Sequence, residues 1–249
     1  MKQYLRITAA FLITLTLLAG CSKPQAAPEA VTEPETETTA ITTSAETEGT
    51  AAEAVYTRQI ERYYTAISQQ WDESAYWDQE MSALAAYYYD GTPLDNVGFA
   101  YMDLDGDGIQ ELLIGAILGA DRDPLVFEIW TLRNGEPVML AQSGSHNRFY
   151  LQYAEEDDLW SVAYEAENGA ANHAVYYLQL VDGEFQVIQG VVFDAIANEN
   201  DSWFMAYDLD WDVSNDTPID ENTAAALMHA GRNIYAAQTY FPYSQYNCA

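Results

Sequence analysis

The chain has 249 residues, with 39 Asp and Glu against 9 Lys and Arg, and a formal charge of −30. So large a negative excess repels phosphate backbones and anionic head groups, which excludes nucleic acid as a partner and leaves calcium, cationic partners and neutral glycans. Solubility on the outer face of a cell accounts for the same acidity without any ligand.

Residues 1–20 read as an export signal. Lys2 and Arg6 precede an apolar run over 7–18, which is short of the roughly 20 residues that cross a bilayer core. Leu18-Ala19-Gly20-Cys21 resembles a bacterial lipobox. The resemblance implies cleavage before Cys21, diacylation of that cysteine, and a protein lipid-anchored to the cell membrane on its extracytoplasmic face. The alternative is an ordinary signal peptide with an incidental cysteine. With Cys21 acylated, Cys248 has no partner for an intramolecular disulfide. Cys248 is then a free thiol, an intermolecular bridge or a tail residue without a role.

Residues 21–54 carry that cysteine and then Thr, Glu, Ala and Pro, with Val31 and Ile41 as the only branched aliphatics. Such a composition buries too little apolar surface to offset its ordering entropy, so a disordered tether is expected, with a mean reach of about 30 Å. A tether of this kind lifts a domain into or through a cell wall. It suits a thick-walled, single-membrane bacterium, while Ser22 leaves an outer membrane open.

Order is expected to begin near Val55. Ile60, Tyr64, Ile67 and Trp71 recur at helical spacing, as do Trp77, Met81, Leu84 and Tyr88 in a shifted register. This gives one drifting helix, or two broken near residues 72–74, with the aromatic stripe in the core rather than on a sugar-binding face. From Val97 the pattern changes to short alternating segments. Segments 127–133 and 137–141 flank Asn134-Gly135, and 175–181 and 185–193 flank Asp182-Gly183, which predicts two hairpins. Segments 149–153 and 159–164, around the acids at 155–158, predict a third with a solvated turn. After a segment at 202–207, a closing helix is expected over about 220–237, capped by Thr217 or Asp220 with Pro218 in its first turn. The fold class is α+β: an antiparallel β-meander of about eight strands with an N-terminal helical segment and a C-terminal helix, forming one domain over 55–249.

Within it, residues 101–115 read YMDLDGDGIQELLIG. Counting from Asp103, carboxylates fall at positions one, three and five (Asp103, Asp105, Asp107), glycine at six (Gly108) and Glu111 at nine. Calcium takes six to eight oxygens at about 2.3–2.6 Å. Gly106 and Gly108 permit the sharp turn that points alternate side chains inward, and the Ile109 carbonyl at seven would add a backbone oxygen. An EF-hand needs a glutamate at position twelve, where this chain has Ile114, and its flanks would be helices; here they are strand-like. Asp-x-Asp-x-Asp-Gly-x-x-Glu between two strands instead resembles the calcium loops of integrin-like FG-GAP and VCBS repeats. With a single good copy, the resemblance implies the metal site over 103–111 and not a propeller. The loop, the strands after it and "PYSQY" at 242–246 are also similar to uncharacterised surface lipoproteins of thick-walled bacteria, which implies an architecture without a known activity. Lacking the position-twelve carboxylate, the site should be weak and suited to roughly millimolar calcium, as a structural pin rather than a switch. A second series places Asp208, Asp210, Asp212 and Asp216 at one, three, five and nine. Val213 at six resists the required turn, which makes this a weaker metal candidate beside a plain solvated loop.

No signature of catalysis accompanies these loops. His146, His173 and His229 are isolated, Gly144-Ser145-His146 is only a turn-like fragment, and His146, Asn147 and Arg148 form a polar cluster ahead of a strand. Two functional classes follow. One is a non-enzymatic, calcium-stabilised binding or accessory module whose ligand is a glycan, a wall component or another envelope protein. The other is a surface glycan hydrolase with an unidentified acid pair.

Overall fold

A computed structural model describes residues 45–117, 124–155, 159–169, 171–197 and 202–247, of which 45–53 are described as backbone only. Cys21, Cys248, the export signal, most of the expected tether and the acids at 156–158 lie outside these residues. The described residues all belong to one compact unit.

Helix α1 spans Ala45–Ser68, so helical backbone starts well ahead of the boundary expected near Val55. Tyr56, Ile60, Tyr63 and Ile67 recur at i, i+4, i+7 and i+11, and all four are buried. Gln70 in a left-handed conformation stops the helix. Asp72 then opens α2, Glu73–Asp78, by accepting from the Ala75 amide at 2.9 Å. The helical segment is therefore broken near residue 72, one of the two arrangements that the spacing allows. The break rotates the stripe: Tyr76 takes the core position and Trp77 is 64% exposed, against its expected place in the core. A 3-10 turn at Ala83–Tyr88 and the short helix α3, Pro93–Asn96, lead into the sheet.

Among the described residues eleven strands follow rather than about eight: β1 Val97–Met102, β2 Glu111–Ala116, β3 Leu125–Arg133, β4 Glu136–Gln142, β5 Asn147–Ala154, β6 Leu159–Glu167, β7 Asn172–Val181, β8 Glu184–Asp194, β9 Trp203–Ala206, β10 Thr217–Ile219 and β11 Phe241–Pro242. They form one antiparallel sheet in the order β10-β9-β8-β7-β6-β5-β3-β2-β1-β11, with β4 beside β3. At both hairpin turns the two central residues have positive φ, Asn134 and Gly135 at 54° and 81°, Asp182 and Gly183 at 53° and 74°. That is the two-residue geometry whose twist matches the flanking strands. The class is α+β, but the sheet is not a simple meander. β3 pairs with β4 through Glu128–Arg133 and with β5 through Leu125 and Val126.

Helix α4, Glu221–Arg232, is capped by Asp220, which accepts from the Thr223 amide at 3.0 Å. Thr217 and Pro218 belong to strand β10, so neither opens the helix. The chain does not end on α4 either. It continues to Tyr235, which bridges Gln152 of β5, then to β11 beside β1 and a 3-10 turn at Tyr243–Gln245. Residues 233–237, expected as helix, turn at 233–234 and then leave the helix because their backbone bonds β5 instead: the Ala236 amide reaches the Leu151 carbonyl at 3.0 Å.

Both faces of the sheet are buried over its middle. One packs under α1 around Leu112, Ile114, Phe127, Tyr150 and Ala163. The other gathers Ala100 of β1, Leu113 of β2, Ile129 of β3, Leu151 of β5 and Phe204 of β9 into one cluster that runs across the sheet. At the junction of helices and sheet lies Glu128, 1% exposed. Its carboxyl accepts from the Tyr63 hydroxyl (2.7 Å), the Ser82 amide (2.9 Å), the Trp130 indole (2.9 Å) and the Gln142 amide (3.2 Å).

Replacing Glu128 strands the donors that it satisfies. A buried donor left without its acceptor costs about 1–3 kcal/mol, so Glu128→Ala should lose roughly 3 kcal/mol in urea unfolding, and Glu128→Gln clearly less. An unfolding midpoint for the alanine variant equal to wild type would refute this role.

Candidate metal centre

The loop between β1 and β2 is closed by sheet register. Met102 pairs with Glu111, so the last residue of β1 faces the first of β2 and the eight residues between must curl back within one strand spacing. Gly106 and Gly108 take φ of 78° and 87°, the left-handed region that a side chain makes costly. Each aspartate then turns back on the chain. Asp103 accepts from the Gly106 amide through Oδ1 (2.7 Å) and from the Gly108 amide through Oδ2 (3.0 Å). Asp105 accepts from Asp107 (3.3 Å) and Asp107 from Ile109 (2.7 Å). These bonds hold the curl and point carboxylates toward its centre.

Glu111 closes the ring from below and is 1% exposed. Its Oε2 accepts from the Leu104 amide at 2.9 Å and its Oε1 from the Thr131 hydroxyl of β3 at 2.8 Å. Oxygens of Asp103, Asp105 and Glu111 all lie within 4.8 Å of one another. That is the span across a calcium shell with oxygens at about 2.3–2.6 Å. Asp107 stands outside this group; its Oδ1 is turned to the Ile109 amide. Of the four carboxylates expected to converge, three do. Behind the loop, the Tyr56 hydroxyl of α1 donates to the Gln110 carbonyl at 3.0 Å, and burial followed by the nearby Glu111 carboxyl holds that phenol above its usual range. Neither Tyr56 nor Thr131 carries a local sequence signal for this role.

Burial pushes the Glu111 carboxyl up to about 7; the Leu104 and Thr131 hydrogen bonds oppose the shift, and Asp105 and Asp107 add to it. Asp105 is raised as well, chiefly by burial, with Asp107 and Asp103 adding repulsion. A divalent cation at the centre of the three oxygens would remove both penalties by favouring the ionised forms.

The second aspartate series folds differently. Asp210 donates its amide to Asp208 (3.3 Å), Asp212 to Asp210 (2.8 Å) and Ser214 to Asp212 (3.0 Å), a ladder like the first. Position four is Trp211, with φ of 61°, and Val213 at position six lies in a 3-10 turn, Val213–Asn215, without a second positive φ. Asp208, Asp210, Asp212 and Asp216 do not form a converging group; among the described residues that group is Asp103, Asp105 and Glu111. Burial, then the neighbouring aspartates, raise Asp216.

The polar cluster at 146–148 begins strand β5 and joins residues far along the chain. Ser145, His146 and Arg148 line a cleft of about 240 Å³ with Glu165 and Glu167 of β6, His173 of β7, and Met228 and Arg232 of α4. Arg232 bonds Glu165 at 2.7 Å, and His146 stands 3.5 Å from Glu167. Among the described residues no helix is long and apolar enough to cross a membrane. No family model matches the chain, and no curated protein or solved structure matches it.

In EDTA the sign of Glu111's contribution is set by its raised pKa. A carboxyl near 7 in the folded state and near 4.5 when unfolded adds stability at low pH, which is lost as pH climbs from about 4.5 to 7. Wild-type stability relative to Glu111→Gln should therefore fall across that window and level off above it. Denaturant titrations at several pH values read this directly, and a difference that rises with pH would contradict it.

Proposed function

We propose that this chain is a lipid-anchored, extracytoplasmic surface protein whose domain is stabilised by one calcium ion and works as a non-enzymatic binding or accessory module. The convergence of Asp103, Asp105 and Glu111 within 4.8 Å carries the calcium part of this reading. Three carboxylates, a loop held by its own amides and glycines at both tight turns are what a hard oxygen-ligated cation requires. The Ile109 carbonyl, the Asp107 carboxylate and water are available to complete the shell. The likeness of the spacing to FG-GAP and VCBS loops supports calcium rather than magnesium. The anchor rests on Lys2, Arg6, the apolar run at 7–18 and Cys21.

A hydrolase reading would need a carboxyl of raised pKa facing a second one across a cleft. Among the described residues the carboxyls held high are Asp105, Glu111 and Asp216, all in or beside the two aspartate loops. In the cleft beside α4 the carboxylates of Glu165 and Glu167 are engaged with Arg232 and His146, and Asp216, which does line a hollow with Asp194 and Asp212, is exposed to neighbouring aspartates of its own loop. This favours the binding module, with a glycan or an envelope protein as its ligand.

A ligand that binds only the folded state stabilises it by about 2.7 kcal/mol at a hundredfold excess over Kd, which for a domain of this size raises Tm by roughly 5–10 °C. Calorimetry of the full chain should show such a rise in millimolar calcium over EDTA and a smaller one in magnesium. Asp105→Ala should abolish it, while Asp210→Ala should keep it. No rise in the native protein would end the calcium reading. For the anchor, fatty-acid labelling of a bacterium expressing the chain should mark the wild type and not Cys21→Ala.

A further inference from the structure

Resting on the calcium reading, we propose that two side chains from outside the loop, Thr131 of β3 and Tyr56 of α1, hold it ready for the cation, and that through Tyr56 calcium binding and the docking of α1 strengthen one another. The sheet register creates the first support. Leu112 pairs with Trp130, and one residue further on the same pairing sets Glu111 beside Thr131. The Thr131 hydroxyl donates to Glu111 Oε1 at 2.8 Å, and both side chains are buried. The other donor to Glu111, the Leu104 amide, belongs to the loop itself. Of the two donors, Thr131 is thus the one that ties the ninth-position carboxylate to the neighbouring strand.

Tyr56 acts on the backbone at the same point. Its ring is buried and lies against Tyr101 of β1, with the ring centres 6.2 Å apart. Its hydroxyl donates to the Gln110 carbonyl at 3.0 Å and lies 3.4 Å from the Trp130 carbonyl. Gln110 and Trp130 immediately precede Glu111 and Thr131. One phenol therefore clasps both chains where the Glu111 and Thr131 side chains meet. Opening the loop would carry Gln110 away and leave that buried hydroxyl without its nearer acceptor, which opposes the opening.

Three carboxylates within 4.8 Å of one another resist closure of the loop when nothing neutralises them. Ordering the loop at the moment of binding would subtract from the affinity for the ion, and supports that keep it closed beforehand remove that loss. Groups that hydrogen-bond a ligating carboxylate have this effect in metal sites generally, and losing one weakens metal binding by about 10–100-fold. The two supports differ in kind. Thr131 sits within a strand paired on both sides, next to Glu111 of β2 and opposite Val138 of β4. Tyr56 belongs to a helix packed on the sheet and clasps the loop only while that helix is docked. The effect is mutual by linkage: if docked α1 favours the ion-ready loop, a bound ion favours docked α1 by the same factor. Helix α1 is also the first described element that the chain reaches from the proposed anchor, so the ion firms the entry to the domain.

The test is calorimetric calcium titration of the full chain, with hydrogen exchange of α1 read with and without the ion. Thr131→Val, which keeps the shape and loses the hydroxyl, should bind calcium about tenfold or more weakly than wild type, and Thr131→Ser within about threefold of it. Serine restores the hydroxyl but not the lost methyl, so its rescue separates positioning from packing. Tyr56→Phe keeps its ring and should also bind more weakly. In wild type, calcium should slow exchange along α1 as well as in the loop. In Tyr56→Phe it should slow the loop and leave the helix unchanged, a readout that holds even where the Thr131 variant melts early. Thr131→Val binding as tightly as wild type would overturn the role of Thr131. Exchange of α1 indifferent to calcium, in a wild type that binds it, would overturn the link. A wild type that binds no calcium would end the calcium reading and this inference together, which sets that failure apart from the other two.

Discussion

A carboxyl group sealed between helices and sheet is tolerable only while its donors stay in place, and Glu128 sets that condition for this fold. Its four partners come from α1, the segment after α2, β3 itself and β4. No cation is among them, so four separate donors must converge to offset the lost hydration. Two further bonds extend the junction: the Ser82 hydroxyl reaches the Ser143 carbonyl at 2.7 Å, and the Gln142 side chain also reaches the Glu80 carbonyl at 2.9 Å. The helical layer is thus fixed to β3 and β4 by polar contacts as well as by the apolar stripe of α1. That placement brings Tyr56 over the end of the aspartate loop.

Glu111 meets the same physical problem with a different solution. Like Glu128 it points from a central strand into a buried layer, and like Glu128 it is 1% exposed. It has two donors where Glu128 has four, and two aspartate oxygens lie within 4.8 Å of it. Its protonation equilibrium is displaced accordingly. One buried carboxyl is completed by the protein; the other has capacity left over, directed at the centre of a loop. The contrast separates a carboxyl that joins two layers from one that faces the centre of a loop.

Much of this architecture is legible from local chemistry. Asn134-Gly135 and Asp182-Gly183 fix two hairpins because only positive φ at both positions suits the strand twist. The aspartate spacing locates the loop between two strands for the same reason of local geometry. What is hidden has no local signature. Strands β10 and β11 have three and two residues and each carries a proline, Pro218 and Pro242, so no alternation marks them. The exposure of Trp77 follows from a left-handed Gln70 that resets the helical phase. Glu128 reads as a chance acid in an apolar run, because three of its four donors lie 65, 46 and 14 residues away in the chain. The cleft beside α4 is harder still, since Arg148, Glu165 and His173 come together only through the register of three strands.

The two aspartate series show what spacing alone leaves undetermined. Both place carboxylates at positions one, three, five and nine, and both turn the first three onto backbone amides two to five residues ahead. They part at two points. The first loop has two glycines in left-handed conformation, whereas the second has one left-handed residue, Trp211, and then a 3-10 turn. The first closes on a strand pair, Met102 opposite Glu111, which carries the ninth position under the loop as a long side chain. The second ends on Asp216, a shorter acid that caps its 3-10 turn before β10. Convergence of charge in the first loop is thus a product of sheet register acting on the aspartate motif. The same letters without that closure bond three acids to their own backbone and leave Asp216 half-buried beside them.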